Sequence, residues 1–210
     1  MMRIRPIFAH AALAIALAVP FLAASAARAQ TRIVCLGDSL TEGLGVELEA
    51  AYPARLERRL RALGHADVQV INAGVSGATS ASAVARLKWQ LRARPSILIL
   101  ALGANDGLRG IAVEEMRKNL DQAIELALNS GVRVLLAGMK LPPNYGRDYS
   151  RRFESVFTEL AAERNVALIP FLLEGVAARP ELNQADGIHP TARGYEIVTE
   201  TVLRYLRPLL

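Results

Sequence analysis

Five short apolar runs recur along this chain, each followed by a longer segment of helical period, and that alternation restricts the fold more than any other property of the sequence. The runs lie at residues 32–36, 68–72, 97–102, 132–138 and 166–170, and the helical segments at roughly 53–63, 80–91, 113–130, 150–164 and 191–206. The runs are continuously apolar rather than alternating, the pattern of strands covered on both faces. Gly64 and Gly131 stand where glycines end helices. Five βα units in series predict a parallel sheet with right-handed crossovers and helices on both faces. The expected fold is a three-layer α/β/α sandwich with a flavodoxin-like five-stranded sheet of order 2-1-3-4-5.

Residues 1–29 are set apart from this pattern. Arg3 and Arg5 give a basic start, residues 11–27 are apolar and alanine-rich, and Ala27-Arg28-Ala29 has the small-x-small form of a signal-peptidase site. Pro20 interrupts a stretch already short for a membrane anchor. The expectation is a cleaved signal peptide over 1–29, export to the periplasm or the medium, and a single domain over 30–210 with no stable membrane span. The formal charge of +5 falls to +2 without the leader, which holds three of the 25 basic residues and no acid. The remaining arginines, such as Arg55, Arg58, Arg59 and Arg61, spread over helix faces, which argues against a nucleic-acid partner. Cys35 is the only cysteine, so no internal disulfide forms, and its place inside the first strand makes it a small buried hydrophobe.

In a parallel sheet every β-to-α loop opens on one edge, where such folds bind ligands. Those loops gather Gly37-Asp38-Ser39, Asn72-Ala73-Gly74-Val75-Ser76-Gly77, Gly103-Ala104-Asn105-Asp106 and, far along the chain, Asp186-Gly187-Ile188-His189-Pro190. Ser39 alone is more readily a helix cap or turn residue than a nucleophile. A nucleophilic serine needs a base, and beyond the leader the histidines are His65 and His189. His65 falls between a helix end and a strand start, on the opposite edge, as a solvent-facing loop residue. His189 falls on the correct edge with Asp186 three residues earlier, near enough to fix its tautomer. Asp186 and Pro190 equally suit a helix-entry turn. Gly74 and Asn105 are of the types that build an oxyanion hole, and also of the types that fill turns and helix starts. The Gly74–Gly77 segment lacks the Lys-Ser/Thr ending of a phosphate-binding loop, and no G-x-S-x-G elbow is present.

These blocks resemble those of the GDSL, or SGNH, hydrolases: Gly37-Asp38-Ser39-Leu40, Gly74, Gly103-Ala104-Asn105-Asp106 and Asp186-x-x-His189. Pro142-Pro143-Asn144-Tyr145-Gly146 and Pro170-Phe171-Leu172-Leu173-Glu174-Gly175-Val176 extend the similarity towards the arylesterase, thioesterase I and lysophospholipase branch. The resemblance implies Ser39 as nucleophile, His189 as general base and Asp186 as its orienting acid. It implies an oxyanion hole of the Ser39 N–H, the Gly74 N–H and the Asn105 side chain. No metal or organic cofactor is implied. The substrate would be a small acyl ester or thioester, its acyl group lying along a groove for which Leu44, Leu108, Leu141 and Pro142 are the candidate walls. A carbohydrate O-acetylesterase shares this machinery, and a non-catalytic ligand-binding module on the same scaffold would require Asn105, Asp186 and His189 to be coincidental. Nothing in the sequence fixes the oligomeric state, and a monomer is the default expectation.

Overall fold

The computed structural model describes residues 30–210, so the expected leader lies outside the described residues. Strands β1 (Arg32–Gly37), β2 (Gln69–Gly74), β3 (Ile97–Ala101), β4 (Arg133–Ala137) and β5 (Ala167–Ile169) form one parallel sheet in the order β2-β1-β3-β4-β5. Helix α1 (Ser39–Glu42) follows β1, and α2 (Tyr52–Ala62) crosses to β2. Helix α3 (Ala83–Gln90) connects β2 to β3, α4 (Ala104–Leu108) and α5 (Val113–Asn129) connect β3 to β4, α6 (Arg147–Glu163) connects β4 to β5, and α7 (Ala192–Leu206) closes the fold. Right-handed crossovers put α2 on one face, where it packs against α7, and α3, α5 and α6 side by side on the other.

The central strands explain the apolar runs. Ile33 to Leu36 and Ile97 to Leu100 are fully buried, covered from above and below. Each such side chain contributes about 1.5–3 kcal/mol by leaving water. The outer strand β2 departs from the expected double burial, being largely half-exposed because one side of it has no neighbour. It also runs two residues past its expected end, to Gly74, in register with Gly37. The expected helix at 80–91 opens as a 3₁₀ turn over Ser80–Ser82 before α3 begins. Gly64 and Gly131 take φ of +95° and +73°, the left-handed conformation that ends α2 and α5. Cys35 is fully buried, and burial pushes its thiol up to about 12. Among the described residues no helix is long and apolar enough to cross a membrane.

Candidate functional site

The site sits where the chain reverses its direction of travel across the sheet, at the carboxyl ends of β1, β2 and β3. β1 ends at Gly37, between Gly74 and Ala101 of its neighbours. A Cβ there would run into the Thr41 side chain and the Ala101 carbonyl, so only glycine lets the chain turn straight into α1. Asp38 caps that helix, its carboxylate accepting the Leu40 N–H at 3.0 Å. Ser39 is therefore the first helical residue and not the cap. Its N–H is one of those a helix start leaves free, with no partner among the described residues.

His189 reaches Ser39 from the connection between β5 and α7. Its Nε2 lies 2.8 Å from the Ser39 Oγ, and its Nδ1 lies 2.7 Å from Asp186 Oδ2. The other carboxylate oxygen of Asp186 accepts the backbone N–H groups of Ile188 and His189, at 2.9 and 3.0 Å. Those bonds, the His189 backbone donor foremost, hold the Asp186 carboxyl down at about 2. The helix-entry alternative for Asp186 does not hold, because Thr191 caps α7 through the Gly194 N–H. The loop that carries the pair is pinched at its base by an antiparallel bridge between Asn183 and Pro190. Gln184 joins it to the Ser39 segment: its side-chain amide donates to the Leu44 carbonyl at 2.7 Å and to the Pro190 carbonyl at 3.0 Å.

Asn105 lies in the first turn of α4, beside Ser39's helix. Its side-chain amide donates to the Ala78 carbonyl at 3.1 Å and approaches Asp38 Oδ2 at 3.4 Å, the second contact being too long to be strong. Gly74 does not join it. The Gly74 N–H is taken by Asn72 Oδ1 at 3.0 Å, and a Cβ on Gly74 would meet the Glu42 backbone. Gly74 is thus a close-packing residue, the last of β2 and not the first of the loop, and it does not line the groove. The glycine that does is Gly77, at φ +76°, whose N–H has no partner among the described residues. Arg86 of α3, another residue the sequence alone did not single out, donates from Nη2 to the carbonyls of Gly37 (2.8 Å) and Ala73, tying the ends of β1 and β2 together.

A groove of about 640 Å³ opens from Ser39, Asn105 and His189. Leu44, Leu108, Leu141 and Pro142 all line it, together with Phe171 and Leu173. Its walls are overwhelmingly apolar. His65 stands apart, half-buried at the amino-terminal edge of the sheet between α2 and β2.

The chain matches the model of the GDSL-like lipase/acylhydrolase family over residues 35–197. It is 42% identical over 185 residues to esterase TesA of Pseudomonas aeruginosa, covering 88% of this chain and 91% of that protein. It is 36% identical over 186 residues to thioesterase 1/protease 1/lysophospholipase L1 of Escherichia coli K12, with 88% and 87% covered. A crystal structure of TesA superposes with a TM-score of 0.83 at 40% identity, covering 86% of this chain and all of that one.

Proposed function

The chain belongs to the GDSL-like lipase/acylhydrolase family and is a serine carboxylic-ester hydrolase, and we propose that Ser39 is its nucleophile, His189 the general base and Asp186 the group that orients His189. The observation that carries this assignment is the unbroken chain Asp186–His189–Ser39, at 2.7 and 2.8 Å, opening onto an apolar groove. An Asp186 held ionised cannot donate, so the proton between it and His189 sits on Nδ1. Nε2 is then free to take the Ser39 proton as Oγ attacks the ester carbonyl. The oxyanion falls to the N–H groups of Ser39 and Gly77 and to the Asn105 amide, each such donor being worth about 3 kcal/mol of barrier. His189 returns its proton to the departing alcohol, a water attacks the acyl-enzyme with His189 again as base, and the acid leaves.

Acyl esters with an apolar chain suit the groove best, and the same steps serve for acyl thioesters or lysophospholipids, the classes for which the Escherichia coli relative is named. The basic start at Arg3 and Arg5 and the Ala27-Arg28-Ala29 site support an exported enzyme, periplasmic or secreted, beginning at Gln30. Sequencing the amino terminus of the exported protein reads that start directly. For the chemistry, the test is hydrolysis of p-nitrophenyl acyl esters. Ser39→Ala is expected to remove about 10⁵-fold or more of kcat while leaving the melting temperature and circular dichroism unchanged. Wild-type turnover in a folded Ser39→Ala protein would overturn the mechanism.

A further inference from the structure

Behind the groove, Asp106 and Ser80 are joined although neither touches the reacting atoms. Asp106 follows Asn105 in α4, Ser80 begins the turn before α3, and each is 1% exposed. One oxygen of the Asp106 carboxylate accepts the Ser80 N–H at 2.9 Å, and the other accepts the Ser80 hydroxyl at 2.5 Å. Asn119 of α5 donates its side-chain amide to the same hydroxyl at 3.1 Å. The hydroxyl proton is committed to the carboxylate, so what Asn119 meets is a lone pair, and the three groups form one directed series. Among the described residues no basic side chain forms an ion pair with Asp106. A buried carboxylate without a counter-ion is a costly way to hold two loops together, and an apolar contact would serve stability as well.

The two loops are the ones that carry the oxyanion donors. Gly77 lies three residues before Ser80, and Asn105 lies immediately before Asp106. A neutral link, from the Asn105 amide to the Ala78 carbonyl, runs beside the charged one. We propose that Asp106 and Ser80 are positioning residues that fix the spacing between the Gly77 N–H and the Asn105 amide, an inference that rests on the assignment of those two donors above. When an oxyanion forms, it draws the Asn105 amide forward and strains the neutral link. The charge-assisted link is roughly twice as strong as a neutral one and resists that spreading, with Asn119 anchoring it to the 17-residue helix α5.

A double-mutant cycle tests this on p-nitrophenyl butyrate. Asn105→Ala is expected to lower kcat about 100-fold. Ser80→Ala is expected to lower kcat about tenfold with KM within about twofold, because the spacing matters in the transition state and little in substrate binding. Ser80→Ala added to Asn105→Ala is expected to cost less than about twofold further, since a spacing between two donors no longer matters once one of them is gone. Full tenfold additivity in the double variant, or an unchanged kcat in Ser80→Ala, would overturn the proposal. If Ser80→Ala does not fold, Asn119→Ala leaves the Ser80–Asp106 pair in place and is read in the same cycle, with a smaller loss of kcat and the same non-additivity expected. Wild-type kcat in Asn105→Ala would instead refute the oxyanion assignment itself.

Discussion

At the scale of single residues, the two carboxylates nearest the serine live in opposite surroundings. Asp186 is partly exposed and saturated with donors, and it stays ionised far into acid. Asp38 is 2% exposed, and burial pushes its carboxyl up to about 6, against the Leu40 N–H and the nearby charges of His189 and Arg86, which favour the ionised form. The folded protein holds the Asp38 proton more tightly than the unfolded chain, whose carboxyl titrates near 3.8. The resulting stability is complete below that value and is lost as pH rises through about 6. Asp38→Asn keeps an acceptor for Leu40 and never ionises. Its melting temperature should therefore move in its favour relative to wild type as pH rises from about 3 to 7, by an amount equivalent to up to roughly 3 kcal/mol. Thermal melts of both proteins across that range check it, and a pH-independent difference would contradict it.

At the scale of elements, the active groups ride on pieces too short to carry a periodic signal. Helices α1 and α4 have four and five residues, and the loop around His189 has none of the regular patterns, so the sequence marks these positions only by residue type. The long elements were legible because each presents several turns or a full strand of buried side chains. The glycine of the β2 loop was misplaced for a related reason. Before Ala73-Gly74-Val75-Ser76-Gly77 the expected strand stops at residue 72, yet the strand continues to Gly74 because its partner β1 continues to Gly37. Pairing length, a property of two strands together, decides which glycine reaches the groove. The same neighbourly logic makes Gln184 consequential, since its amide bridges the segment after Ser39 to the segment after His189. Gln184→Ala should lower kcat about tenfold with little change in KM, because the serine and its base lose a shared tether. Steady-state kinetics on one ester settles it, and a change in KM alone would point to the groove instead.

At the scale of the whole molecule, a rigid parallel sheet presents Ser39, Gly77 and Asn105 from the ends of β1, β2 and β3, while the connection after β5 brings His189 and Asp186 and, with the one after β4, builds most of the apolar wall. That division was readable as a sheet order and a common edge. The wall itself was readable only in part: Leu44, Leu108, Leu141 and Pro142 stand beside or within quoted blocks and were candidates, whereas Phe171 and Leu173, also within such a block, reach the groove only because of the path the connection after β5 takes. A groove so apolar should reward added methylenes. For p-nitrophenyl esters kcat/KM is expected to climb from acetyl towards medium chains by up to about fourfold per methylene, and then level off as the groove fills. A profile that peaks at acetyl would contradict this. The pinched neck at Asn183 and Pro190 has a consequence for how such an enzyme changes over generations. Because His189 and Asp186 lie inside a closed loop, lengthening or trimming the connection upstream of the neck reshapes the wall without shifting either of them. Substrate range can drift by insertion and deletion while the Asp186–His189–Ser39 geometry is inherited intact.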